Sequence, residues 1–272
     1  MTGGPPDATG RVRVSPGQRK GSIEVVLARA DRRNAVDMAF AQSLQAAAAA
    51  VHVAVSSGAA DCVVVSAQGQ HFCVGGDLND FPADEDRAVP HLQNMSFRVH
   101  EAMATFLELP VPIVSRVQGV AAGAGIGLAV FADVVVASTA ARFRSAYTAM
   151  GLSPDCGTSW MLPRLIGERR AMDMVLTNRM VGAAEAEAWG LASRVVAPDR
   201  LDDTVDEVVA AILGAGRAAN AASKRLLRSS LTDGLRAHLA DEGQTVALLG
   251  GSAGALAARE RFIKPDDVVG HL

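Results

Sequence analysis

Two glycine-rich segments and one acidic turn carry the residue types from which a reaction can be built. The first segment is His71-Phe-Cys-Val-Gly-Gly-Asp-Leu78; the second is Gln118-Gly-Val-Ala-Ala-Gly-Ala-Gly-Ile-Gly-Leu-Ala129. Glycine lets a backbone approach a ligand closely and turn its N–H groups outward. Two such loops meeting would present two converging amides, and the second opens what reads as a helix, whose N-terminus adds positive potential. Such a pair is an oxyanion hole, able to hold the oxygen of an enolising carbonyl. Two other readings stand beside it. Glycines also serve turns and close packing, and Gly123-Ala-Gly125-Ile-Gly127 has the alternate glycines of a phosphate loop. That stretch lacks both the full GxGxxG spacing and a following Lys-Ser/Thr pair, so neither dinucleotide nor Walker signature is met. The acidic turn is Ser153-Pro-Asp-Cys-Gly157. Asp155 there is either a reacting carboxylate or simply the Asp of a Pro-Asp-x-Gly turn.

The elements that must position these groups alternate in type. Ile23 to Leu27 reads as a strand and Asp31-Arg-Arg-Asn34 as a polar turn. Asp37 is placed to cap a helix carrying Phe40, Leu44, Ala48, Val51 and Val55 at helical spacing, ended at Gly58. Cys62 to Val65 is a short apolar run of the buried-strand kind, followed by a loop from Gln68 to Asp80. Residues 89 to 109 carry Leu92, Met95, Val99, Met103 and Phe106 on one helical face, and Pro110 and Pro112 stop that helix. Ile113 to Val117 and Val134 to Ala137 are two further strands. The alternation predicts an α/β arrangement with buried strands. From Leu201 onward the pattern is helical throughout. The chain therefore divides into an N-terminal tail (1–20), a core (21–198) and a C-terminal helical subdomain (199–272).

Composition narrows the function classes. The 272 residues are 49% hydrophobic and 20% charged, with net charge −3 and no long basic block. That is a soluble, globular balance that argues against a general nucleic-acid binder. Cys62, Cys73 and Cys156 form neither a CxxC pair nor a metal-ligand spacing, which points to buried thiols in a reducing compartment and suggests no metal. No apolar run reads as membrane-spanning; the nearest, Val120 to Val130, is short and holds three glycines. The N-terminus lacks the halves of a signal peptide, and the expectation is a cytoplasmic protein.

Several ordered segments together resemble the enoyl-CoA hydratase/isomerase (crotonase) superfamily. Phe72-Cys-Val-Gly-Gly-Asp-Leu78 is similar to its F-C-A-G-x-D-L motif, and Val117 to Ala129 to its second glycine motif. Phe143, Gly151 to Gly157 and Leu162-Pro-Arg-Leu-Ile-Gly167 resemble its third block, and Ala183 to Ala192 with Val195 and Val196 its A-x-E-A-x-x-x-G-L-V-x-x-V segment. The similarity runs from about Ile23 to Lys264. It implies a spiral of ββα units with a C-terminal helical part that assembles homotrimers or dimers of trimers. It also implies an acyl-CoA substrate in lipid metabolism, with no cofactor beyond the coenzyme A of that substrate and no nucleic-acid or membrane partner. By motif position, the oxyanion amides fall on Gly76 and Ala124. Arg29, Arg32 and Arg33 fall where the CoA nucleotide end is lined, although a solvated polar turn is an equal reading for any one of them. Val74 falls near the adenine, and Lys264 in a C-terminal neighbourhood where a lysine reaches CoA.

The pattern departs from the family's hydratases at both of their glutamates. One of those positions is Gly127 and the other is Tyr147, the single tyrosine of the chain. A tyrosine, with an ordinary pKa of roughly 10, is a poor base at neutral pH. Asp155 matches a position where several family branches carry a catalytic Asp, used for proton transfer at carbon or for attack on an aryl ring. The resemblance thus implies an isomerase-type enzyme with Asp155 as proton carrier. A hydratase or hydrolase with an unusual acid/base set, and a binder that has lost catalysis, are the alternatives. Tyr147 either orients substrate or packs as an aromatic. Asp77 is expected to hold its loop, and His71 to be structural. Phe81, Leu92, Met95, Phe97, Met150 and Trp160 are the candidates for shaping the acyl pocket.

Overall fold

The computed structural model describes residues 10–232 and 234–263. Its strands are β1 (Val12–Pro16), β2 (Ser22–Leu27), β3 (Cys62–Ala67), β4 (Ile113–Val117), β5 (Val120–Ala122), β6 (Val134–Ser138), β7 (Arg142–Arg144), β8 (Met180–Gly182) and β9 (Arg194–Val196). Between and after them run α1 (Met38–Ser56), α2 (Glu85–Glu108), α3 (Ala124–Val130), α4 (Thr158–Ile166), α5 (Glu168–Leu176), α6 (Ala183–Trp189), α7 (Leu201–Ala215), α8 (Arg217–Thr232), α9 (Leu235–Gly250) and α10 (Ala253–Ile263). Six strands form one sheet in the order β1-β2-β3-β4-β6-β9, parallel except for β1; β5, β7 and β8 form a second, smaller sheet. The chain thus alternates between the two sheets as it winds, the α/β spiral expected of the resemblance.

The apolar runs of the large sheet follow from burial on both faces. In β3, Val63 and Val65 join the main core with Phe40, Phe72, Phe106 and Phe131, whereas Cys62 and Val64 face a second cluster with Leu201, Val205, Val208 and Val209 of α7. The C-terminal helices are therefore not set apart from the core. Helix α7 covers the outer face of the sheet, and α9 lies along α2.

Three expectations are corrected here. Residues 12–16 are not tail: Val-Arg-Val-Ser-Pro alternates at its start, Val12 is buried, and the segment pairs antiparallel with β2 from Val12↔Leu27 to Pro16↔Ile23. Helix α2 begins at Glu85 rather than 89, because Asp84 caps it by accepting from the Arg87 amide, with Glu85 and Asp86 at the positive end of the helix. Helix α1, capped by Asp37 through the Phe40 amide, is 19 residues long and apolar enough to cross a membrane by length and composition. Its buried face, from Phe40 to Val55, packs in the main core against α2.

Candidate active site

The two glycine loops meet. Cys73 bridges Ala121, and the Gly75 Cα lies against the Gly123 backbone; a Cβ at Gly75 would sit 3.1 Å from the Ala122 carbonyl oxygen and 3.4 Å from the Gly123 Cα. Gly75 also has φ +99°, a conformation that side chains rarely adopt. The approach brings Gly76 and Ala124 onto the wall of one cavity of about 260 Å³. Neither of their amides donates to another group among the described residues. Ala124 is the first residue of α3, where a backbone N–H has no partner within the helix. Two free amides on one wall are the arrangement an oxyanion requires.

The rest of the cavity is largely apolar, lined by Phe81, Leu92, Met95, Val99, Met150 and Phe262 among others. Four of the six expected pocket residues are there. Phe97 and Trp160 are not. Phe97 is 60% exposed and borders a separate cleft between α2 and α9, while Trp160 is buried against His238. Helical geometry explains Phe97: it stands one position past Ser96 and so turns away from the face shared by Leu92, Met95 and Val99.

Asp155 lines this cavity, with Ser96, Arg144, Tyr147 and Asn178 as its other polar side chains. Ser96 Oγ donates to its Oδ2 at 2.8 Å, and His100 Nε2 lies 2.5 Å from its Oδ1. Burial alone would push this carboxyl up, but the charge and hydrogen bond of His100, the Cys156 amide and the Ser96 hydroxyl outweigh it and hold Asp155 below the usual carboxylate range. His100 answers in the opposite sense. Burial opposes its charge, yet Asp155, then Glu242 and the Leu239 carbonyl, raise its pKa above the ordinary value. The two form a buried ion pair. Tyr147 also lines the cavity; its hydroxyl donates to the Asp155 main-chain carbonyl at 2.9 Å, and burial pushes its pKa far up. It is thus a neutral group that steadies the backbone beneath the carboxylate.

Ser96, His100 and Glu242 were not anticipated. The sequence did hold a signal: Ser96 and His100, four residues apart, interrupt the apolar stripe of α2. Glu242 is the analogous interruption in α9, with its side chain only 3% exposed. A polar residue placed on a core face needs a buried partner. His100, Asp155 and Cys156 also bring nitrogen, oxygen and sulfur donors within 4.8 Å of one another. The closed His–Asp pair and a thiol whose pKa burial drives well up compete with any ion there.

At Gly127 the geometry is restrictive. A Cβ built on it would lie 2.0 Å from the Cys156 carbonyl oxygen, so the Asp155 turn itself occupies the space a side chain would need.

The arginines separate. Arg29 points inward, its Nη2 2.9 Å from Asp37 and 2.8 Å from Asp77, with Nη1 donating to the Ala35 carbonyl at 2.7 Å. The expectation that it meets CoA phosphates is corrected, because two carboxylates already claim it. Asp77 accordingly holds its loop, accepting from Arg29 and Asn79. Arg32 and Arg33 are exposed, and the Arg33 carbonyl accepts from the amide of Val74, a cavity residue. His71 lies part-buried, with burial and Arg33 lowering its pKa. Lys264 lies outside the described residues.

Comparison with known proteins agrees with this architecture. Residues 17–252 match the Enoyl-CoA hydratase/isomerase family. A probable enoyl-CoA hydratase of Rhodobacter capsulatus is 37% identical over 236 residues, 86% of this chain and 88% of that protein. The chain belongs to the enoyl-CoA hydratase/isomerase family, of the crotonase superfamily. Among other members, a 1,2-epoxyphenylacetyl-CoA isomerase of Escherichia coli is 38% identical over 148 residues, 54% of this chain and only 56% of that relative's length. A 4-chlorobenzoyl coenzyme A dehalogenase of Arthrobacter is 30% identical over 171 residues, 62% of each chain. In three dimensions, an enoyl-CoA hydratase structure from Mycobacterium avium subsp. paratuberculosis superposes with TM-score 0.83 at 27% identity, covering 92% of this chain and 98% of that one. Relatives that share the family thus carry names from different reactions.

Proposed function

We propose that this family member transforms an acyl-CoA through its thioester enolate, with the Asp155–His100 pair moving a proton between carbons, as an isomerase does. The observation that supports this best is the placement of Asp155 on the same cavity wall system as the two free amides of Gly76 and Ala124. The thioester oxygen takes those amides, which stabilise the charge that develops when an α-proton leaves. Asp155 accepts that proton. His100 and Ser96 keep the carboxylate oriented, and the Asp–His pair as a unit holds the proton until it returns to another carbon. The pantetheine and nucleotide then run out past Val74 toward Arg32 and Arg33. The missing carboxylates at Gly127 and Tyr147 count against two-glutamate water addition, since position 127 has no room for one.

The test is incubation with enoyl-, dienoyl- and aryl-CoA thioesters in deuterated water, with Asp155→Asn alongside. Double-bond migration with solvent deuterium at carbon, lost in Asp155→Asn, is the expected result. Formation of 3-hydroxyacyl-CoA untouched by that substitution would overturn the proposal.

A second reading has its own support. A carboxylate held ionised and oriented by Ser96 and His100 is also a nucleophile, and relatives named as 4-chlorobenzoyl coenzyme A dehalogenases share 30% and 31% identity with this chain. In that reading Asp155 displaces a leaving group from the acyl moiety as an ester, and water activated by His100 hydrolyses it. A single turnover in ¹⁸O-water would leave label in Asp155 under this reading and none under proton transfer.

A further inference from the structure

The Asp155–His100 pair is not the end of the buried polar system. At the same Nε2 edge of His100 that meets Asp155 stands Glu242 of α9, its Oε2 3.7 Å from His100 Nε2. Glu242 is fixed in place: Oε2 accepts from the Gly157 amide at 2.7 Å and Oε1 from the Ser159 amide at 3.1 Å. Ser159 Oγ lies 2.5 Å from Glu242 Oε1 and 2.6 Å from His238 Nε2. His238, one helical turn before Glu242, has a side chain 31% exposed and rests on the Trp160 ring at 4.9 Å between centroids. An acid with a side chain 3% exposed, joined on one side to the cavity pair and on the other to a solvent-touching imidazole, exceeds what anchoring the Asp155 turn requires.

We infer that Glu242, Ser159 and His238 form a proton exit from the Asp155–His100 pair to the outer surface of α9. This rests on the proton-transfer reading of the site and adds a route for exchange with solvent that does not pass through the CoA-filled cavity. One proton moves and no electrons. Once Asp155 carries the substrate proton, His100 Nε2 turns its hydrogen from Asp155 Oδ1 to Glu242 Oε2, the 3.7 Å separation closing by a small tilt of the ring, and Nε2 then takes the Asp155 proton in its place. A half-turn of the carboxyl exchanges its oxygens between the Gly157 and Ser159 amides and presents the hydrogen to Ser159. The Ser159 hydroxyl takes it and passes its own hydrogen to His238 Nε2, which exchanges with water. A proton returning along the same atoms restores the starting state. Glu242, Ser159 and His238 touch no substrate in this scheme; they are positioning and conducting residues for the pair that does.

The experiment uses the full chain with ¹⁵N-labelled histidine. NMR follows solvent exchange of the His100 Nε2 hydrogen in wild type, Ser159→Ala and His238→Gln. Exchange at least tenfold slower in both variants is expected, because a broken relay traps the hydrogen. Loosened packing would do the opposite and speed exchange, so a purely structural role is separated by the sign. Rates within twofold of wild type, or faster, would overturn the inference. Turnover of an acyl-CoA deuterated at its acidic carbon supplies the second readout: the variants should carry at least threefold more of the label into product than wild type. Slowed His100 exchange in a protein that moves no substrate proton would uphold the relay and sink the isomerase reading. Rapid isomerisation with unaltered His100 exchange would do the reverse.

Discussion

Replacing His100 by Gln tests whether the buried pair is coupled as the geometry requires. His100 Nε2 and Asp155 Oδ1 are 2.5 Å apart, with side chains 7% and 11% exposed. Removing one member of such a pair leaves a charge without compensation, at a cost of about 3–5 kcal/mol. That is a large share of the ~5–15 kcal/mol by which a domain is stable. Asp155→Asn alone strands the imidazolium, which can release its proton, so about 2–3 kcal/mol is expected there. The double variant His100→Gln, Asp155→Asn removes both members of the pair, and the remaining Glu242 keeps its bonds from the Gly157 and Ser159 amides. It should lie well short of the sum, with a coupling energy of about 2–4 kcal/mol. Urea unfolding of the four proteins at pH 7 supplies the cycle. Additivity within ~0.5 kcal/mol would refute the ion pair.

The pH dependence follows with a definite sign. His100 has a raised folded pKa, so its contribution is full below its unfolded value and is lost as pH rises from there through the folded value. Asp155 has a lowered folded pKa, so its contribution is full above its unfolded value and is lost as pH falls through the folded one. Wild type should therefore lose stability above about pH 6.5 relative to His100→Gln, which flattens that limb. A limb of equal slope in both proteins would refute the assignment.

Ala124→Pro removes one oxyanion donor at the first position of α3, where proline is tolerated; kcat should fall by about 10²–10³ with CoA binding retained, read by steady-state kinetics and calorimetry. Gly127→Glu, which writes a hydratase-type acid into the sequence, should confer no water addition, because its Cβ meets the Cys156 carbonyl at 2.0 Å. A loss of about 3 kcal/mol or more is expected from such overpacking, and a stable variant with hydratase activity would count against the described turn. Arg29→Met leaves Asp37 and Asp77 without their shared cation and should lower the unfolding midpoint sharply, whereas Arg33→Ala should leave stability within ~0.5 kcal/mol and weaken CoA binding severalfold. The opposite assignment of the two effects, seen by thermal melts and CoA titration, would reverse the reading of that turn.

Much of the fold was legible because it is written in local pattern. The apolar runs of β2, β3, β4 and β6, the cap at Asp37 and the glycine loops each depend on neighbours in sequence. That two glycine loops could present converging amides was legible for the same reason, because glycine patterns report where a backbone is laid bare; the assignment to Gly76 and Ala124 came from the resemblance of the motifs. Edge strand β1 escaped notice because the glycine and proline around it read as a tail, while its burial comes from pairing with β2 and from α1.

Where the long side chains end could be read only from the folded chain. Arg29 stands in the same Arg-rich turn as Arg32 and Arg33, and nothing local marks it out; Asp37 and Asp77 draw it inward once three segments converge. Ser96 and His100 reach Asp155 across 59 and 55 residues, and Glu242 reaches Gly157 across 85. Local pattern was enough to read the α/β winding, the glycine loops and an acidic turn, because hydrophobic period and backbone freedom act over a few residues. The charge state and partners of Asp155 had to wait for helices α2 and α9 to close over it, because desolvation and ion pairing depend on what lies within a few ångströms in space.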